Sequence, residues 1–178
     1  MHPLKNFNFC PKCGSNNFSP SEGTSKKCNA CGFKFFLNPT PSATAIIEDE
    51  KGRILMTVRG RDPRKGMMGL PGGFIDIDET AEQAMAREVK EELGLEVAEL
   101  KYMTTFTNIY PFEGHDNHTL DLYFICKVKT FDGMTPMDDV AELIFMPKNE
   151  IDFEKLAFPS TQKAVAYYLD LTQNQGII

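Results

Sequence analysis

The chain has no tryptophan and only three histidines in 178 residues. It also lacks any apolar run near the roughly 20 residues of a membrane span, and its opening MHPLKNFNFC holds no signal-peptide core. A cytoplasmic protein with no membrane partner is therefore expected. Internal repeats and low-complexity tracts are missing, which excludes solenoids and fibrous arrays. The first 37 residues contain no arginine, so no arginine cluster marks them as a nucleic-acid footprint. What is present is ordinary for a globular protein: 42% hydrophobic and 11% aromatic residues, enough for a real core at a net charge of −6. The length allows one domain plus a small appendage.

Four of the five cysteines form two Cys-x-x-Cys knuckles, Cys10/Cys13 and Cys28/Cys31, with fourteen residues between them. Each knuckle brings two thiolates to one metal, and Gly14 and Gly32 permit the tight turn that follows. Four sulfurs make a closed tetrahedral Zn²⁺ site with no position open to substrate. Disulfides would need an oxidising compartment, and a redox pair does not usually come twice. Residues 1–37 therefore read as a zinc ribbon whose folding energy comes mostly from the metal. Its five lysines against Glu22 give +4, while the remainder carries −10. Such scattered lysines make a weak electrostatic footprint, and Phe33, Phe35 and Phe36 suit docking on the main domain better than base stacking. The fifth cysteine, Cys126, lies in the strand-like LDLYFICKV and reads as buried.

Residues 38–178 read as the main domain, reached through the proline-stiffened linker Asn38-Pro39-Thr40-Pro41. Ala43 to Ile47 and Arg53 to Val58 read as the two strands of a hairpin. Arg59, Arg61, Arg64 and Lys65 form a basic, glycine- and proline-broken loop. Strands are expected within Glu96–Asn108, over Thr119–Val128 and over Leu143–Met146, with a polar loop at Tyr110–His118 and an acidic connector at Asp138–Glu142. A last helix follows Ser160.

Between the basic loop and these strands lies Gly73 to Leu95, which reads as a loop followed by a helix. Asp78 is its expected N-cap and Gly94 its stop. At about 100° per residue, Met85, Val89 and Leu93 make an apolar stripe widened by Ala86. Glu88, Glu91 and Glu92 cluster on the adjacent arc. A solvated acidic face is one reading of them, and a site for a hard cation such as Mg²⁺ or Mn²⁺ the other. Four cations just ahead of this helix would suit a diphosphate held between them and the metal.

Gly73, five residues, Glu79, seven residues and then Arg87-Glu88-Val89-Lys90-Glu91-Glu92-Leu93-Gly94-Leu95 resembles the Nudix box, G-x5-E-x7-R-E-U-x-E-E-x-G-U with U aliphatic, at every defining position. The run Leu70-Pro71-Gly72-Gly73 resembles the family's usual approach to it, and the likeness covers about Thr40 to Gln173. It implies an α/β/α sandwich with a mixed sheet and the box helix against one face. The implied reaction is Mg²⁺-dependent hydrolysis of a nucleoside diphosphate linked to another moiety. Glu88, Glu91 and Glu92, with the Gly73 carbonyl, would hold the metal, and Arg87 would orient Glu79 or Glu91. Arg59, Arg61, Gly72, Gly73 and Pro111 would contact substrate. Glu113, Asp116, Asp139 and Glu142 are candidate general bases, with Glu142 preferred.

A ribbon ahead of such a domain resembles the NADH pyrophosphatases, but their S-Q-P-W-P-F-P-x-S array is missing here. Tyr110-Pro111-Phe112 is at most a remnant of it, and Phe158-Pro159-Ser160 lies too far downstream. Pro111, sixteen residues past Leu95, resembles the marker of ADP-ribose pyrophosphatases. ADP-ribose is therefore the favoured substrate, with Phe106, Tyr110 and Phe112 available to stack the base. NADH or FAD hydrolysis, RNA processing guided by the ribbon, and a non-catalytic ligand sensor are the alternatives. Relatives often pair, so a homodimer is compatible with the resemblance.

Overall fold

The structure, a computed structural model, describes residues 4–174. The chain divides into two compact units between Pro39 and Thr40. None of the described helices is long and apolar enough to cross a membrane.

In the first unit three short antiparallel strands, β1 (Phe18–Pro20), β2 (Ser25–Cys28) and β3 (Lys34–Phe36), lie in that order. Their small core is Cys10, Phe18 and Cys28, with Phe33 and Phe35 packed against it. Phe33 and Phe35 thus contribute to the ribbon's own core, and Phe36 is exposed beneath the Lys34 ammonium. The Lys26 ammonium donates to the Phe7 carbonyl at 2.6 Å and is buried, which removes one lysine from the basic surface.

The second unit begins with β4 (Thr40–Ile47), whose first residues Thr40 and Pro41 already pair with Thr119 and Leu120, so the proline-rich stretch is partly strand. Next come β5 (Ile54–Arg59), β6 (Met68–Gly69), β7 (Gly72–Phe74), α1 (Ala81–Leu93), β8 (Val97–Phe112), β9 (His115–Val128), β10 (Val140–Met146) and α2 (Pro159–Asn174). One sheet is mixed, ordered β7-β4-β9-β8 with β4 and β9 parallel; the other is antiparallel, ordered β10-β5-β6. The expected β4–β5 hairpin does not form. Beyond a single bridge, Glu48 to Ile54, the Asp49–Gly52 turn carries the chain from one sheet into the other. The expected 110–118 loop is also absent. β8 and β9 stay paired to Phe112–His115, and only Glu113 and Gly114 turn, both at positive φ (48° and 78°), the geometry a two-residue hairpin needs.

Strand alternation divides the core between the two helices. Ala43, Ala45, Ile47, Leu55, Phe124 and Cys126 pack with Ala84, Met85, Val89 and Leu93 of α1. Ile46, Ile54, Met56 and Tyr123 pack with Ala164, Val165 and Tyr168 of α2. Each fully buried Val, Leu, Ile, Met or Phe among these contributes roughly 1.5–3 kcal/mol. The helices cover opposite faces, which gives the three-layer α/β/α arrangement. Cys126 is 1% exposed, and burial pushes its thiol up to about 12, as suits a structural residue.

Candidate active site

The N-cap of α1 is Thr80, not Asp78. The Thr80 hydroxyl accepts from the Gln83 amide at 3.2 Å, and the Gln83 side chain accepts from the Thr80 amide at 2.8 Å. This reciprocal box satisfies two otherwise orphaned donors, which a lone aspartate two residues earlier does not. Gly94 ends the helix in the left-handed region, its amide donating to Lys90. The buried arc is Ala84, Met85, Val89 and Leu93 together with Glu88 and Glu92, while Ala86 is exposed. Two carboxylates therefore sit inside the apolar face rather than beside it.

Arg87 holds the acidic cluster in register. Its Nε and Nη2 donate to the two oxygens of Glu79, both at 2.9 Å. Nη1 donates to Glu88 at 2.7 Å and to Glu91 at 3.0 Å, and Nη2 also donates to the Phe74 carbonyl at 2.9 Å. The planar guanidinium can serve all four acceptors because its donors lie in one fixed fork. Its hydrogen bond to Glu79, more than any other contact, drives the Arg87 pKa upward and lowers that of Glu79.

Glu92 accepts from the Gly72 amide at 2.8 Å and is 7% exposed. Burial pushes its carboxyl up to about 8, opposed by that amide and reinforced by Glu88, Asp139 and Asp138. Burial raises Glu88 as well. A Cβ on Gly73 would come within 2.5 Å of Glu88 Oε1, so only glycine lets this carboxylate lie against the strand. Two desolvated carboxylates beside the Gly73 backbone, which pairs with Ala43 in the β4–β7 ladder, could serve a hard divalent cation, which would remove the cost of their charge. Glu91, 52% exposed at its side chain, is turned to Arg87 instead.

These groups open on a cavity of about 290 Å³. Gly72, Gly73, Glu88, Glu92 and Arg59 line it, as do Asp138 and Asp139. The 131–139 segment reaches the cavity because Thr135 and Met137 donate to the carbonyls of Leu93 and Glu92 at the end of α1. Glu142 does not line the cavity: it points outward from β10, opposite Val58. Arg61 is paired with Asp138 at the surface, and Pro111 lines a neighbouring cavity that shares Asn108 and Phe158 with the first.

Arg59, the last residue of β5, has its guanidinium 5.9 Å from the ring centre of Tyr110 and 5.3 Å from that of Phe158. It also donates to the Tyr110 hydroxyl at 3.2 Å and to the Pro63 carbonyl at 2.7 Å. Tyr110 and Phe158 are 5.3 Å apart, and Phe74 meets Tyr110 edge-on at 5.6 Å. Of the three aromatic residues expected to stack, Tyr110 lines the cavity. Phe106 packs on Tyr123 in the core, and Phe112 stacks half-exposed on Tyr110. Phe158, set aside on sequence distance, does line the cavity, as do Thr119 and Asp121, which carried no motif.

The model of the NUDIX domain family matches residues 38–168. The chain belongs to the Nudix hydrolase family. An ADP-ribose pyrophosphatase of Methanocaldococcus jannaschii is 32% identical over 138 residues, covering 74% of this chain and 78% of that protein. The NAD-capped RNA hydrolase NudC of Vibrio vulnificus is 33% identical over 101 residues, which are 57% of this chain but only 38% of that relative's length. Among solved structures, a NUDIX hydrolase from Nitrosomonas europaea superposes with a TM-score of 0.71 over 96% of this chain and 94% of that one, at 23% identity. That likeness speaks for the fold.

In the first unit the four sulfurs lie within 4.8 Å of one another, with Cys10 to Cys31 at 3.8 Å and Cys13 to Cys28 at 3.7 Å. A tetrahedron with metal–sulfur bonds of roughly 2.3 Å has edges of about 3.8 Å, so the set fits Zn²⁺. The amides of Gly14 and Gly32 close each knuckle onto the carbonyls of Cys10 and Cys28 at 2.8 and 2.9 Å. Both glycines lie at positive φ, where a side chain would be strained.

Proposed function

We propose that the second unit is a divalent-metal-dependent pyrophosphohydrolase that cleaves a nucleoside diphosphate linked to a sugar, with ADP-ribose the favoured substrate. One observation carries this reading: a single cavity joins two buried carboxylates and a glycine backbone to an arginine packed against two rings. Mg²⁺ or Mn²⁺ held by Glu88, Glu92 and the Gly73 carbonyl would neutralise charge on the diphosphate oxygens. Glu91 belongs to the proposed ligand set only if substrate or metal draws it away from Arg87. Arg59 would take the opposite side of the diphosphate, and Tyr110 and Phe158 would offer ring faces to the base. For activating water, Asp139 replaces Glu142, since Asp139 lines the cavity beside Glu88 and Glu92. The likeness to an ADP-ribose pyrophosphatase supports the choice of substrate.

The test is a hydrolysis screen, with and without Mg²⁺, over ADP-ribose, NADH, FAD and NAD-capped RNA. ADP-ribose should give the highest kcat/KM, and Glu92→Gln should lower its kcat by about 10²-fold. Turnover unchanged by that substitution would reject the assigned site. The likeness to an NAD-capped RNA hydrolase favours a second reading, in which the capped end of an RNA is the substrate. It predicts faster turnover of capped RNA than of free NADH, with a steep salt dependence. For the first unit we propose structural Zn²⁺ on Cys10, Cys13, Cys28 and Cys31.

A further inference from the structure

The floor of the active cavity is polar where a sheet face normally packs apolar side chains. Thr119 and Asp121 lie two apart on β9 and so face the same way. Ser42 of β4 sits opposite Asp121, and Asn108 of β8 opposite Thr119, which sets the four side chains in one patch. Thr119 and Asp121 are only 2% and 6% exposed. Asp121 Oδ1 accepts from the Ser42 hydroxyl at 2.8 Å, and Oδ2 accepts from no side chain among the described residues. The Thr119 hydroxyl is buried and has no hydrogen-bond partner among the described residues. Buried polar atoms are nearly always satisfied, and valine would fill the Thr119 position without leaving an orphan. An unpaired buried hydroxyl and a half-used carboxylate, on two residues that line a ligand cavity, mark a place where the ligand could supply the missing partners.

We infer that Thr119 and Asp121 form a reading site for the vicinal hydroxyls of a ribose, and that they set the sugar specificity of the enzyme. This rests on the pyrophosphohydrolase reading above. Each hydroxyl of a diol both donates and accepts, so one can give its proton to Asp121 Oδ2 while the other accepts from Thr119. A carboxylate on a ribose hydroxyl is also the solution found in dinucleotide sites. The floor patch offers no ring face, whereas Phe74, Tyr110 and Phe158 line the same cavity with three. The planar base therefore belongs with the rings and the hydroxylated group with the floor.

The experiment compares wild type, Thr119→Val, Thr119→Ser and Asp121→Asn on ADP-ribose and on the ethyl ester of ADP, which lacks the distal sugar. Thr119→Val should raise KM for ADP-ribose by about tenfold with little change in kcat, Thr119→Ser should restore it, and Asp121→Asn should act in the same direction. Because Thr119 gives up no internal hydrogen bond, Thr119→Val should melt no lower than wild type, which separates recognition from folding. A rise confined to ADP-ribose assigns the patch to the distal sugar, and an equal rise with both substrates assigns it to the nucleoside ribose. Unchanged KM for both overturns the inference. If wild type hydrolyses neither substrate, the pyrophosphohydrolase reading falls, and calorimetry with ribose 5-phosphate and 2-deoxyribose 5-phosphate decides the patch by itself. A preference for ribose that Thr119→Val abolishes sustains the site, and no preference ends it.

Discussion

Removing the charge of Glu92 should stabilise the metal-free protein while it damages turnover. Glu92 is 7% exposed, and burial pushes its carboxyl up to about 8, whereas the unfolded chain titrates it near 4.5. The folded state thus binds this proton more tightly than the unfolded state. Without metal, the group adds nothing to instability below the unfolded value. It costs progressively more as pH rises towards about 8, and no more beyond. Linkage puts the cost at about 3 kcal/mol at pH 7 and about 1 kcal/mol at pH 5. Glutamine has nearly the same shape, can still accept from the Gly72 amide, and carries no charge. In EDTA, Glu92→Gln should therefore melt about 10 °C above wild type at pH 7, with the gap shrinking to a few degrees at pH 5. Adding Mg²⁺ should raise the melting temperature of wild type and barely move the variant. Differential scanning calorimetry in EDTA across this range decides it. A variant that melts at or below wild type at pH 7, or a gap that does not narrow in acid, would refute the reasoning.

The remaining expectations concern the parts around that carboxylate. Arg87→Lys gives one point charge in place of a fork that serves Glu79, Glu88 and Glu91, so kcat should fall about 10–100-fold, checked by steady-state kinetics with saturating Mg²⁺. Gly73→Ala places a methyl group 2.5 Å from Glu88 Oε1, and the displaced carboxylate should raise the Mn²⁺ concentration needed for half-activation by about tenfold or more, read from a metal titration. Metal analysis of protein purified under reducing conditions should find one zinc per chain, and Cys13→Ser should lose it; a metal-free wild type with reduced thiols would contradict the ribbon. Arg59→Ala removes a guanidinium that lies over both Tyr110 and Phe158, and KM for ADP-ribose should rise about tenfold.

What the sequence made legible was local chemistry. The Cys-x-x-Cys knuckles and the α1 acids carry their geometry in short spacings, since one turn or one helix fixes it. The Thr80–Gln83 box was also written there, two residues past Asp78, and was missed because a single residue type was weighed instead of the reciprocal pair. The β4–β5 pairing failed for a different reason. A tight turn between two strands looks the same whether the strands share a sheet or separate into two, and only the long-range partners, β9 for one and β10 for the other, decide it. Tyr110 to His118 is polar because that end of the β8–β9 ribbon faces solvent on both sides, not because it is irregular. Thr119 and Asp121 were invisible as site residues, for in a strand they look like solvent-facing positions. Asp139 lines the cavity and Glu142 does not because the segment before β10 is strapped to the end of α1, a contact between distant parts of the chain.

The parallel pairing of β4 with β9 joins positions such as Ser42 and Asp121 that are 79 residues apart in the chain. Such a ladder cannot nucleate locally, because the loop must close before any contact repays its lost freedom. During synthesis the cysteine knuckles are complete by Cys31, but the catalytic hollow has no wall until β9 has left the ribosome, and Phe158 and Thr161 arrive later still. A nascent chain would thus carry its complete set of four cysteines long before it could touch a nucleotide, and a pulse-labelled series of stalled chains should gain protease resistance at those two lengths separately.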